Sequence, residues 1–138
     1  MASPHCIAEW LTEVDNIALS STVAAPENQA GYVRAMGVLM RMRPDGLGGA
    51  GMSAASEADV MRSVAMGAFE TAVMRLLPDD ARIMTSTPGP GHHMATVRLN
   101  GQRRESTSSG GTFALALVSA LALSMVDHYH ELAGSLPG

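Results

Sequence analysis

The side chains best able to do chemistry in this 138-residue chain are five histidines, one cysteine and several serines. Metal ligands that share a helix favour spacings of three or four residues. His128 and His130 are two residues apart, which predicts that they lie on different sides of a helix. A site that combines His92, Asp127 and His128 is left open, because the spacing neither requires nor forbids their convergence. The sequence therefore predicts neither a bound metal nor a cofactor.

The candidate nucleophiles lack the neighbours that would activate them. Ser106, Ser108 and Ser109 fall in a polar segment without the Gly-x-Ser-x-Gly turn of serine hydrolases. Cys6 follows His5, but a catalytic cysteine–histidine pair needs a convergence that adjacency along a helix does not provide. The sequence favours a protein without catalytic activity, and a small metal-dependent enzyme is kept as a third hypothesis.

The basic residues are all arginines, and they are unevenly distributed. The chain has nine arginines, no lysine and a net charge of −4. Between residues 82 and 112, four arginines and one glutamate give a local charge of +3: Arg82, Arg98, Arg103, Arg104 and Glu105. A basic segment on an acidic body is a candidate contact surface for a partner.

A second candidate site depends on the segment Ser108–Gly111, which precedes an expected helix. Free N–H groups at the start of a helix bind anions. Ser109, Arg103 and Arg104 are close in sequence and are candidate ligands for a phosphate or carboxylate. The second functional hypothesis is therefore a module that binds a small anion, such as a nucleotide or a phosphorylated metabolite.

The elements that must position these residues include a small antiparallel sheet. Ala81–Thr87 and His93–Leu99 have the composition of strands. The Asn100-Gly101 pair that follows favours a two-residue type I′ turn. We therefore predict a hairpin whose second arm, the third strand of the sheet, covers Gln102–Thr107.

The register of that predicted hairpin has a consequence for the arginines. A two-residue turn places Arg98 opposite Arg103 on the outer face of the sheet, and Arg104 on the inner face. Like charges directly opposed are unfavourable, and an anionic ligand or partner would relieve them. The predicted contact surface is this outer face together with the turn at His92 and His93.

Helices are predicted before and after the sheet along the chain. The apolar spacing indicates one helix after Ser3, a second over Pro26–Arg43 and a third over Ser56–Leu77. In Phe113–Val126, twelve of fourteen residues are apolar, which predicts a buried final helix that ends near Gly134. This apolar run is shorter than the roughly 18–20 residues that span a bilayer.

The predicted fold class is α+β, with N-terminal helices, a sheet of two or three antiparallel strands and a C-terminal helix packed on the sheet. We expect a single domain over residues 1–138. Residues 1–55 would form a helical N-terminal part, and residues 56–134 an α-β-β-β-α core.

One segment resembles a known family. The stretch His92–Gly101, the turn Ser108–Thr112 and the Ala-Leu-rich Phe113–Leu121 resemble the C-terminal half of small phage and prophage proteins of the α-β-β-α (ABA) sandwich type. The resemblance covers about 60 residues and gives no counterpart for the first 55. It implies an accessory phage protein and no particular reaction.

The predicted order of elements is also similar to that of a double-stranded-RNA-binding domain. Gly89–His92 before a strand and the Asn100-Gly101 turn after it carry this similarity. In that family a lysine-rich start of the last helix grips phosphate, and the equivalent positions here are Gly110, Gly111 and Thr112. Without lysine, and on an acidic body, affinity for RNA would be weak. The sequence therefore argues against a nucleic-acid partner.

The favoured hypothesis is a cytoplasmic, non-catalytic accessory protein that binds a protein partner, such as a host enzyme or host defence protein that it inhibits. A single cysteine excludes an internal disulfide and fits a reducing compartment. Methionine and alanine on the first two helices would suit a homodimer interface, for which two-fold symmetry is the commonest arrangement. No membrane association is expected.

Overall fold

A computed structural model describes residues 4–43, 54–78 and 81–135, with side chains for 7–43, 58–78 and 81–133. Five α-helices and one three-stranded antiparallel sheet occupy these residues. The elements are α1 Pro4–Val23, α2 Gln29–Arg41, α3 Ala54–Ala65, α4 Phe69–Leu76, β1 Arg82–Gly89, β2 His92–Arg98, β3 Ser106–Gly110 and α5 Phe113–Ser135. This architecture confirms the predicted α+β class, with the C-terminal helix packed on the sheet.

Helix α5 forms the centre of the fold. It contacts β2 and β3 of the sheet as well as α1, α2 and α4. Every residue from Ala114 to Ala122 is buried, because a helix covered on all sides needs an apolar surface on all sides. Within the described residues, one stretch is long and apolar enough to cross a membrane, Phe113–Ala133. Its most apolar window is 72% buried against the rest of the protein, which is typical of a core helix.

Helices α1 and α2 are joined by a buried hydrogen bond and by a core rich in methionine. Trp10 in α1 donates from Nε1 to the carbonyl oxygen of Leu39 in α2 over 2.8 Å. Met36 and Met40 of α2 are fully buried. The flexible thioether fills irregular gaps between helices, which suits a core with few aromatic rings.

Helix α1 continues through a serine- and threonine-rich end to Val23. Ser21 and Thr22 are helical, and their hydroxyl groups donate to the backbone carbonyl oxygens of Ile17 and Leu19. The side chains of His5 and Cys6 lie outside the described residues, so the argument about that pair stays a prediction.

The second predicted helix is shorter at both ends. Pro26–Asn28 form a single 3₁₀ turn, and the α-helix begins at Gln29. It ends at Arg41 rather than at Arg43, whose guanidinium donates back to the carbonyl oxygen of Met40 over 3.2 Å.

The third predicted helix, Ser56–Leu77, is two helices in the structure. A turn at Gly67 separates α3 from α4, and its φ of +76° lies in the left-handed region that favours glycine. Buried residues on both helices, such as Val64 and Val73, face the same core. The apolar pattern therefore continues across the turn and conceals it in the sequence.

The predicted register of the hairpin is wrong. The strand order is β1-β2-β3, and Arg98 of β2 lies opposite Arg82 of β1, not opposite Arg103. On the other side of β2, Val97 lies opposite Ser106. The predicted third strand Gln102–Thr107 is replaced by one that begins at Ser106, and Arg104 is exposed instead of lying on the inner face.

The side chain of Gln102 explains this change. A turn forms at Asn100-Gly101, since Gly101 has a φ of +86° and the N–H of Gln102 donates to the carbonyl oxygen of Leu99 over 3.0 Å. It is not the predicted type I′ turn, because Asn100 lacks the positive φ that this type requires at both central residues. Gln102 is then buried, because its Oε1 accepts from the N–H of Leu99 and its Nε2 donates to Ser106 Oγ, over 3.0 and 3.1 Å. Three residues bulge outward, and pairing resumes at Ser106.

The segment Ser108–Gly111, predicted as a loop, is mostly strand. Ser108 and Gly110 face α5, and the Oγ atoms of Ser108 and Ser119 are 2.6 Å apart. A Cβ atom on Gly110 would lie 2.7 Å from the backbone nitrogen of Ala116. The strand therefore approaches the helix backbone at a distance that only glycine allows.

Candidate functional site: the open face of the sheet

The two faces of the sheet have different environments. Ala95 and Val97 of β2 are buried against α5, and Ser124 in α5 donates to the carbonyl oxygen of Val97 over 2.8 Å. Helix α1 reaches the same side, since Ser119 donates to the carbonyl oxygen of Ala18. Because side chains alternate along a strand, the residues between these point away from α5.

We call this second surface the open face. It consists of eight alternating residues of the three strands: Arg82, Met84, Ser86, Met94, Thr96, Arg98, Thr107 and Ser109. Met84 is 70% exposed, and the hydroxyl groups of Thr96 and Thr107 share a solvent-exposed hydrogen bond of 2.8 Å. Among the described elements, none packs on this face.

Two arginines stand opposite each other at one end of the open face. Arg82 and Arg98 are direct cross-strand partners, and both are exposed. The described residues offer neither guanidinium an ion pair, while Arg98 Nε donates to the carbonyl oxygen of Gln102 over 3.0 Å. Like charges directly opposed across a sheet are destabilising by up to about 1 kcal/mol. The repulsion is therefore left uncompensated within the described part of the chain.

The connection between β2 and β3 adds two further exposed arginines, and polar contacts hold it in place. Ser106 Oγ donates to Asp127 Oδ2 over 2.9 Å, which ties β3 to α5. The backbone N–H of Arg103 donates to Glu131 Oε2 over 3.0 Å. The Arg103 and Arg104 side chains are exposed and extend from an anchored backbone, which Arg98 contacts at the carbonyl oxygen of Gln102.

His128 takes part in the packing beneath this connection. It is 3% exposed, so it does not belong to a solvated helix end, while His130 is exposed, as their spacing predicts. Its Nδ1 has no hydrogen-bond partner and lies 3.8 Å from Glu131 Oε2. No group of three potential metal ligands occurs among the described residues.

His92 and His93 are not brought to the arginines. His92 lies at the opposite end of β2 from Arg98, about 20 Å away at the usual rise of a strand. His93 points to the α5 side, where its ring centroid is 4.3 Å from that of Phe113 and its Nδ1 is 3.4 Å from Thr87 Oγ1. Its surroundings are those of a packing residue.

The candidate anion ligands are also separated. Thr112 caps α5, since its Oγ1 accepts from the N–H of Leu115 over 3.1 Å. The backbone N–H of Arg103 bonds to Glu131 near the other end of the same helix, about 27 Å from the start of that helix. Ser109 lies on the open face, opposite Met94. These positions do not form one pocket.

The opposition of Arg82 and Arg98 is the feature that sequence reasoning missed. The two strands are joined at a Pro-Gly-Pro-Gly stretch, and the register shifts between Ser86 and Gly89. A shift of this kind cannot be read from the residue types, whereas alternate spacing does predict that both arginines lie on exposed positions. The chain matches no protein-family model, no curated protein and no solved structure.

Proposed function

We propose that this protein is a non-catalytic accessory protein that binds an acidic protein partner through the open face of its sheet. The uncompensated pair of Arg82 and Arg98 carries the proposal. Carboxylates from a partner would replace a like-charge opposition by two charge-assisted contacts. Arg103 and Arg104, on the anchored connection beside it, extend the positive surface.

The composition of the open face fits a protein better than a nucleic acid. It combines arginine with exposed apolar surface at Met84, and methionine and arginine are both enriched in protein interfaces. Nucleic-acid affinity comes mainly from the number of phosphates that a protein neutralises, and the net charge of −4 opposes a polyanion. Tight binding of RNA through these arginines would contradict the proposal.

Several finer features of the proposal rest on the sequence. The resemblance to small phage proteins supports a phage or prophage origin, and the inhibition of a host enzyme or defence protein is a hypothesis that follows from that origin. The single cysteine supports a cytoplasmic location. A homodimer also stays a prediction. Met36 and Met40, which suggested it, are buried in the core, and the large apolar residues exposed in the described part of α1 are Leu19 and Val23.

The test compares two charge reversals in the retention of proteins from a bacterial host lysate. Arg98→Glu changes the open face, and Arg34→Glu makes the same change of charge on α2, outside the sheet. We expect the wild type and Arg34→Glu to retain the same partner, and Arg98→Glu to lose at least nine-tenths of it. Equal loss with both variants, or no loss with Arg98→Glu, would exclude the open face as the binding surface.

A further inference from the structure

A groove lies between α2, α3 and α4. Its volume is about 270 Å³, and it is open to solvent along one side. Among the described residues, five apolar residues and two arginines line it: Gly37, Val38, Val60, Met61, Leu76, Arg34 and Arg41. Val38 and Met61 are 44% and 52% exposed, so apolar surface faces water at its mouth.

The groove owes its depth to a glycine. Gly37 is the position on α2 that faces α4, and a Cβ atom there would lie 3.6 Å from Leu76 Cδ2, in ordinary contact. Any side chain longer than alanine would extend into the open volume. Met61 on the opposite wall is flexible, and methionine is typical of apolar surfaces that adapt to a ligand.

The groove also has a positive rim. Arg34 of α2 lines it one turn before Gly37, is exposed and forms no ion pair with the described residues. Asp59 on α3 is next to the groove, but its carboxylate is already shared by Arg62 and Arg75, at 2.9 and 3.6 Å. A negative charge on a ligand would therefore meet an available guanidinium at Arg34.

We propose that this groove binds an alkyl carboxylate of about ten carbon atoms. An apolar cavity of about 150 Å³ holds benzene, so 270 Å³ corresponds to roughly ten carbons. The chain would lie against Val38, Met61 and Leu76, with the carboxylate at Arg34. A partner helix is a poorer occupant, since it would need space for anchors over two turns.

Isothermal titration calorimetry of the full chain with sodium decanoate tests the site, with n-decylammonium as a probe of equal length and opposite charge. We expect saturable one-to-one binding of decanoate, and binding of n-decylammonium at least tenfold weaker. Decanoate should also raise the melting temperature, because a ligand specific to the native state stabilises it. Equal affinity for the two probes, or no saturable binding of decanoate, would overturn the proposal.

Two variants locate the binding, and one serves as control. Gly37→Met fills the groove and should abolish decanoate binding, while Arg34→Glu should weaken it at least tenfold without changing the apolar walls. Arg104→Glu makes the same charge change on the sheet side and should bind as the wild type does. If Gly37→Met does not fold, the difference in decanoate affinity between Arg34→Glu and Arg104→Glu still tests the site. Equal decanoate affinity in these two would contradict the site.

Discussion

The two faces of the sheet differ in whether their polar and charged side chains find bonding partners within the protein. On the face toward α5, the hydroxyl groups of Ser106 and Ser108 bond to side chains of the helix, and Ser124 of the helix donates to the carbonyl oxygen of Val97. On the open face, Arg82 and Arg98 oppose each other without a carboxylate among the described residues. The first face accounts for the fold. The second retains a local conflict that folding does not need, and such conflicts are expected at functional sites.

The largest effect is expected where β3 approaches α5 most closely. Gly110→Ala places a Cβ atom 2.7 Å from the backbone nitrogen of Ala116, so strand and helix must separate. We expect a loss of about 3 kcal/mol in the free energy of unfolding, the upper range for overpacking a core. Urea denaturation followed by circular dichroism measures it.

Gly31→Ala is the matched control for this prediction. Gly31 is exposed in α2 with no atom near its ideal Cβ position, and alanine is a better helix former than glycine. We expect this variant to be more stable by up to about 1 kcal/mol. A loss of stability of similar size in both variants would show that the close approach at Gly110 is not the cause.

The next effect concerns the buried hydrogen bonds of Gln102 in the connection between β2 and β3. Gln102→Leu removes both the acceptor for the N–H of Leu99 and the donor to Ser106, and leaves that buried N–H without a partner. We expect a cost of about 2 kcal/mol, within the range for an unsatisfied buried group. Thermal or urea unfolding measures this loss.

His128→Leu is the comparison that separates the contribution of hydrogen bonding to stability from that of burial. His128 is as buried as Gln102, but its Nδ1 donates and accepts nothing. Replacing it by an apolar residue of similar size should cost less than about 1 kcal/mol. If His128→Leu were the more damaging of the two, the polar network would not be what holds this connection.

The sequence predicts the fold better than it predicts the site. Strong periodic signals, such as the apolar run of α5 and the alternation in β2, predict elements that the structure confirms. The errors occur where a single side chain redirects the backbone. Gln102 folds inward and moves the third strand, and Gly67 divides one apolar pattern into two helices.

The site was less predictable because it depends on pairing between strands. Charge counting alone identifies the basic segment that includes Arg82 and Arg98, but their opposition follows from a register that an irregular turn sets. The histidines illustrate the same limit. His92 and His93 are adjacent in sequence, yet alternation places them on different faces, and both lie at the far end of β2 from Arg98.

The smallest change in stability gives the most direct test of the central claim. Arg82→Glu turns a like-charge opposition into an opposite-charge pair with Arg98, so the variant should be more stable than the wild type. We expect a gain of about 0.5 kcal/mol, or roughly 2 °C in melting temperature. The same substitution should reduce retention of the protein partner at least tenfold, because one guanidinium group is lost and the new carboxylate pairs with the other.

The decisive measurement is therefore made on one variant, Arg82→Glu, as a melting temperature and a partner-binding assay on the same sample. A higher melting temperature together with lost binding is the predicted result, because it shows that the arginine pair is unfavourable for folding and needed for recognition. A lower melting temperature with unchanged binding would contradict the account.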